Sequence, residues 1–230
     1  MKVIVFGATG MVGQGVVREC LLDGDVEEVL VVGRTKTGLT HGKVREIVHA
    51  DMHDLAPIAD RLAGYDACFF CLGVSAFRMT EADYRRMTYD LTLAAARILA
   101  ERSPAMTFIY VSGAGTDSTE KGGAMWARVK GATENALFAL PFARTIMLRP
   151  GFIQPMHGIR SKTPLYRAVY AVFSPLYPVF KAIAPKAVTN TEQVGRAMLE
   201  VAKRGAPKKI LENRDIHAIA SASAGAVAHA

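Results

Sequence analysis

A short apolar run followed by a helical stretch recurs about six times before Gly151, and no other feature narrows the fold as much. Val3-Ile4-Val5-Phe6 leads without interruption into Gly7, the pattern of a strand buried on both faces. Met11 to Leu22 follows with helical periodicity, and Asp23-Gly24-Asp25 closes it. Val29 to Val32, Val44 to Val48, Ala67 to Phe70, Thr107 to Val111 and Ala143 to Leu148 read as further strands. Between them lie a short helix from Asp54 to Leu62 and a long one to Arg102, opened by Thr80-Glu81-Ala82-Asp83. Another helix runs from Ala124 to Leu140. This alternation predicts an α/β fold, a doubly wound parallel sheet with helices on both faces. Ligands then bind beyond the carboxyl ends of the strands.

After Gly151 the alternation lapses. Thr189-Asn190-Thr191-Glu192 reads as a capping box opening a helix to about Lys203. Lys209 to Leu211 reads as a last strand, and the Ala/Ser-rich tail from Ala218 as frayed. The 230 residues are expected to form one domain, with 151–208 as a small helical region on the substrate side.

Gly7-Ala8-Thr9-Gly10-Met11-Val12-Gly13 joins the first strand to the first helix. The three glycines answer three steric needs. One makes the tight turn, one lets a pyrophosphate reach the backbone, and one lets helix pack on strand. The phosphates would meet unpaired N–H groups and the positive end of the helix dipole. The expected contacts are Gly7, Thr9, Gly10, Met11, Val12 and Gly13. The spacing is GxxGxxG rather than GxGxxG, and its position between a buried strand and an amphipathic helix gives it weight.

The end of the second strand chooses the dinucleotide. An acidic residue there would accept from a ribose 2′-OH, as NAD sites require. Arg34 stands there instead, followed by Thr35 and Lys36. A guanidinium can place two donors on a 2′-phosphate, so NADP is expected over NAD. The net charge of +7 fits an anionic small ligand, and scattered basic residues argue against a nucleic-acid surface. No metal site is expected. Cys20, Cys68 and Cys71 fall inside predicted elements and read as buried free thiols. Cys68-Phe-Phe-Cys71 lies in an apolar strand, away from the helix start that would stabilise a thiolate.

GATGMVG, with VVGR after strand two, YVSGAG after strand five and RPGF after strand six, resembles the short-chain dehydrogenase/reductase superfamily. The similarity is to its atypical NAD(P)-binding branch, near the Tat-interacting-protein oxidoreductases and small epimerase-like bacterial proteins. It covers roughly residues 1–155 well. The resemblance implies that Asp51 and Met52 lie beside the adenine. Leu72 and Gly73 would line the adenosine half, and Pro150, Gly151 and Phe152 would meet the nicotinamide carboxamide.

It also implies a catalytic Ser, Tyr and Lys, the last two spaced YxxxK on one helical face. Ser112 and Lys130 are the matching residues, expected to bind cofactor and substrate, but Trp126 stands four residues before Lys130. An indole N–H donates a hydrogen bond and does not exchange a proton near neutral pH. Thr88 stands where catalytic relatives carry an Asn. Tyr84, Tyr89, His157 and Tyr166 are substitute acids to be tested against structure.

Two readings follow. One is an NADP-dependent oxidoreductase for a small, fairly apolar carbonyl or alcohol. The other is a non-catalytic NADP-binding module that senses redox state or engages a protein partner. The apolar stretch Thr163 to Lys186 reads as a substrate lid, with contact to an anionic membrane surface as the lesser option. The four apolar residues before Gly7 are too few for a signal peptide, so a cytoplasmic location is expected. Homodimerisation is a family-level expectation.

Overall fold

A computed structural model describes residues 1–159 and 188–227, with side chains to 222. Strands β1 (Lys2–Phe6), β2 (Glu28–Gly33), β3 (Val44–Val48), β4 (Ala67–Phe70), β5 (Thr107–Val111), β6 (Arg144–Arg149) and a later β9 (Ile210–Glu212) form one sheet. Its order is β3-β2-β1-β4-β5-β6-β9 and every pairing is parallel. This is the Rossmann arrangement, with the chain reversing direction of travel between β1 and β4. β1 and β4 are its central strands, and Val3 to Phe6 and Cys68 to Phe70 are fully buried. The doubly apolar runs in the sequence have that cause.

Helix α1 (Met11–Leu22) lies on one face of the sheet with α5 (Thr191–Arg204) and α6 (Asn213–Val227). On the other face are α3 (Leu91–Arg102) and α4 (Met125–Phe138), with a 3-10 helix at Ala56–Leu62. The helix expected from Thr80 to Arg102 is three segments: α2 (Glu81–Arg85), a π stretch at Arg86–Asp90, and α3. Thr80 caps α2, its hydroxyl accepting from Asp83 N–H.

Helix α5 falls within the stretch expected on the substrate side. It packs in the core against α1, burying Val194, Ala197, Met198 and Val201. A Cβ on Gly15 would fall 2.6 Å from Thr191 Cβ, and one on Gly195 2.7 Å from Glu19 Cγ, so the helices cross with almost no gap. Asn190 caps α5, its side chain accepting from Gln193 N–H, one residue beyond the Thr expected to do so. From Ala218, where the tail was expected to fray, the chain continues α6 to Val227. A second, two-stranded parallel sheet joins β7 (Phe152–Gln154) to β8 (Val188–Asn190). The apolar stretch 163–186 lies outside the described residues. No helix among the described residues is long and apolar enough to cross a membrane.

Candidate functional site

The glycine turn divides its labour as its spacing suggests. Gly7 has φ +82, a conformation that L side chains resist, and a Cβ there would sit 2.8 Å from the Cys71 backbone. Gly13 lets α1 close onto the turn; a Cβ there would lie 2.2 Å from the Gly7 carbonyl oxygen. Gly10 differs. Its N–H donates to Gly7 O at 2.8 Å, and a Cβ would meet only that oxygen, at 3.2 Å, with open space beyond. The open side is where a ligand can reach the backbone.

Gly10 also caps α1 without a side chain, and the first turn carries no acidic residue. The N–H groups of Met11, Val12 and Gly13 therefore meet no side-chain acceptor among the described residues, and with the helix dipole they suit a diphosphate. Thr9 is held by its carbonyl, which accepts from Gln14 Nε2 at 3.1 Å. A cavity of about 610 Å³ opens beside Ala8 and Thr9, walled by Val17 and Leu21 of α1 and by Lys36 and Leu39.

Arg34 follows directly on β2, exposed, and without an ion-pair partner among the described residues. The nearby carboxylate of Glu46 is committed to the Thr37 N–H at 2.6 Å. Asp51, exposed after β3, accepts from His53 N–H at 2.9 Å. Met52 is buried, in the core cluster that includes Leu55 and Ile58. After β4, Leu72 is half-buried and Gly73 exposed.

The end of β5 departs most from expectation. Ser112 is buried, and its Oγ lies 2.5 Å from Glu134 Oε1 and 3.2 Å from Leu148 O. The hydroxyl is turned into the protein, away from the rim where a substrate would stand. Glu134, fully buried on α4, also accepts from both Arg149 Nε (3.1 Å) and Arg149 Nη2. Arg149 reaches Ser118 Oγ at 2.6 Å and Glu212 Oε1 at 3.4 Å. Glu134 holds the Arg149 guanidinium charged above its ordinary range. One buried pair thus ties β5, α4, β6 and β9 together.

Lys130 is one turn before Glu134 and donates to the Ser112 carbonyl oxygen. Burial pulls its ammonium down to about 8, while the Glu134 charge works the other way. Trp126 is half-buried, its ring 3.5 Å from where a Cβ on Gly115 would be. Lys130 and Ser112 are thus brought together through the serine's backbone, and the serine's hydroxyl is spent elsewhere.

The turn after β6 is also fixed internally. Pro150 O accepts from Ala114 N–H at 2.9 Å, and Gly151 N–H donates to Asn213 Oδ1 at 2.9 Å. Phe152 opens β7 opposite Val188. Of the substitute acids, Tyr84 is buried, Tyr89 lies under the Arg85 guanidinium at 4.1 Å, and His157 is exposed and bonded to Glu192 at 2.8 Å. Tyr166 lies outside the described residues. The cysteines read as buried thiols are free: Cys20 and Cys68 are buried, Cys71 half-buried, and burial pushes the Cys71 thiol up to about 12.

Glu134, Arg149 and Asn213 were not foreseen. A Glu four residues after a Lys on a helix reads as an exposed ion pair, and nothing local marks it as buried.

The family model described as NAD(P)H-binding matches residues 7–151, well over half of the chain. Protein FMP52-1, mitochondrial, of Scheffersomyces stipitis is 29% identical over 155 residues, covering 66% of this chain and 67% of its own. Protein HTATIP2 of Rattus norvegicus is 27% identical over 155 residues, covering 66% of this chain and 62% of its own. The chain thus spans about two thirds of the length of these relatives. A short-chain dehydrogenase/reductase structure from Saccharomyces cerevisiae superposes with a TM-score of 0.64 at 14% identity, over 96% of this chain and 98% of that one. The expectation of a cytoplasmic location is overturned, since the FMP52 relatives are named as mitochondrial proteins. With the glycine turn, the strand order and the matched stretch in agreement, the chain belongs to the NAD(P)H-binding family, and its fold is shared with the short-chain dehydrogenase/reductase structure.

Proposed function

We propose that this protein is an NADP(H)-dependent oxidoreductase acting on a small, fairly apolar carbonyl or alcohol. The observation that carries the reading is Arg34, exposed at the end of β2 and without an ion-pair partner among the described residues, on the same rim as the open face of Gly10. Glu46, the acid near this corner, is tied to the Thr37 amide, which leaves Arg34 and Lys36 to meet a 2′-phosphate.

The diphosphate would rest on the turn from Gly7 to Gly13, with Asp51, Met52, Leu72 and Gly73 around the adenosine. Lys130, with Pro150, Gly151 and Phe152, would border the nicotinamide end. When bound, the reduced nicotinamide supplies a hydride.

Calorimetric titration of the full chain with NADPH and NADH is the test, followed by nicotinamide absorbance with a panel of apolar aldehydes and ketones. NADPH should bind more tightly and be oxidised by some member of the panel. Equal or tighter binding of NADH would remove the assigned preference, and no binding of either would remove the reading altogether.

Trp126 in the expected acid's place, with the Ser112 hydroxyl turned inward, favours a second reading. In it the protein is a non-catalytic NADP(H) module that reports redox state or docks a partner. Tight NADPH binding with no oxidation across the panel would select it.

A further inference from the structure

We infer that Lys130 is the proton donor of this reaction, its ammonium taking the role that an acidic side chain at position 126 would otherwise fill. The inference rests on the oxidoreductase reading and gives that site its missing acid.

Geometry removes the substitute acids named from the sequence that lie among the described residues, and the hydroxyl and thiol groups near them. The Trp126 indole has no proton to exchange. Ser112 Oγ is bonded to Glu134 inside the protein. Tyr84 and Tyr110 are 2% and 1% exposed, too deep to touch a substrate. Tyr89 is stacked beneath Arg85, and His157 follows β7, bonded to Glu192 on α5. Cys71 is a thiol that burial keeps protonated to about 12, far too weak an acid to serve.

Lys130, on α4, sets its Nζ at the carboxyl end of β5. Its Nζ is anchored by one hydrogen bond to the Ser112 carbonyl, which leaves two N–H bonds for other acceptors. A general acid works best when its pKa lies near the operating pH. Burial brings the ammonium down to about 8.

The one charge that acts on it among the described residues, that of Glu134, opposes this shift without reversing it. Glu134, on the same helix, would hold the lysine charged, but its oxygens are shared with Ser112 and with Arg149 from β6. Arg128 on α4 is turned to Glu81 of α2 and to the Gly122 and Gly123 carbonyls. Asp117, in the loop after β5, is bonded to the amides of that loop. Tyr110 on β5 is buried.

The step balances. A bound reduced nicotinamide would supply the hydride, with its electron pair, to the carbonyl carbon and would itself be left oxidised. The carbonyl π pair collects on oxygen, the Lys130 N–H bond breaks, and its proton goes to that oxygen to give the alcohol. The neutral amine then takes a proton from water, with the Ser112 carbonyl holding Nζ in place.

The first measurement needs neither cofactor nor turnover. In protein labelled with carbon-13 at lysine Cε, the Lys130 resonance, identified by its loss in Lys130→Arg, should titrate near pH 8. A midpoint in the ordinary lysine range overturns the proposal. The second compares wild type with Lys130→Arg and Lys130→Met in NADPH binding and in carbonyl reduction. Arginine keeps the charge but not the acidity, so affinity should stay close to wild type while turnover falls about 100-fold or more. Turnover of either variant within about tenfold of wild type overturns it, because a general acid contributes more than that. So does a wild-type protein that binds NADPH and reduces no carbonyl. Failure to bind NADPH at all instead removes the oxidoreductase reading, and the titration still reports on Lys130.

Discussion

Ser112 Oγ and Glu134 Oε1 lie 2.5 Å apart, a bond that runs from the end of β5 into the middle of α4 and points the serine inward. Two consequences follow. The hydroxyl is lost to substrate, and the Ser112 carbonyl is left as the anchor for Lys130. The same carboxylate fixes Arg149, so one buried acid sets the backbone on both sides of the proposed nicotinamide end.

Replacing Glu134 by Ala should strand the Arg149 guanidinium in the interior. Breaking a buried ion pair from one side costs about 3–5 kcal/mol. Urea unfolding should report a loss of that order, and Glu134→Leu combined with Arg149→Met should recover most of it. A single change costing under about 1 kcal/mol would mean that water reaches Arg149.

Gly10 and Gly13 should respond differently to a methyl group. In Gly13→Ala the new carbon meets the Gly7 carbonyl oxygen at 2.2 Å, so the turn must move and thermal stability should drop. Overpacking of this sort costs about 1–3 kcal/mol. In Gly10→Ala the contact is 3.2 Å and the fold should stay near wild type, while NADPH affinity falls by about tenfold or more as the methyl stands in the ligand's path. Calorimetry and thermal melts on the two variants separate the effects.

Arg34→Ala should weaken NADPH binding by about 10- to 100-fold, the value of one or two charge-assisted hydrogen bonds. NADH binding should hardly change. An equal loss for both nucleotides would place the guanidinium away from the 2′-phosphate.

Asp117 offers a pH test of the loop after β5. Bonds from Thr119 Oγ1 and from the Thr119, Lys121 and Gly122 amides hold its carboxyl down to about 2. A depressed folded value means that the loop's contribution is complete above the ordinary carboxylate value of 3.8 and is lost as pH falls towards 2. The carboxyl carbon resonance of Asp117 should titrate near 2, and in Asp117→Asn the loop should lose its response to acid in that window. A midpoint near 3.8 would show that the bonds do not persist in solution.

Much of the fold could be read directly. The bounds of α1, β3, β4 and β5 coincide with those expected from sequence. These are elements whose burial, on one face or both, leaves an unmistakable apolar pattern. That the sheet is parallel followed from the alternation alone. The missed features have a different physical origin. The pairing of β7 with β8 joins Phe152 to Val188 across the chain, and three-residue strands carry no periodicity to announce it. The π stretch at Arg86–Asp90 is a change of hydrogen-bond partner, which leaves the spacing of apolar residues nearly intact.

The site was legible in its backbone and less so in its side chains. Gly7, Gly10 and Gly13 stand in a turn fit for a diphosphate because glycine spacing records steric need. Ser112 was expected at the rim, and a position in sequence cannot tell which way a hydroxyl rotates. What turns it is Glu134, twenty-two residues on. Met52 follows β3 as expected, in the core cluster that includes Leu55 and Ile58.

The crossing of α1 with α5 bears on how the protein is made. Helix α1 finds its close-fitting partner only when Thr191 to Arg204, far later in the chain, has been synthesised. Until then the face of α1 at Gly15 and Glu19, which meets Thr191 and Gly195 in the finished molecule, stands uncovered on a growing chain. Contacts this distant are slow to form and invite association in the meantime. Nascent chains stalled before Thr191 should therefore be captured by chaperones, and release should coincide with emergence of the later helix.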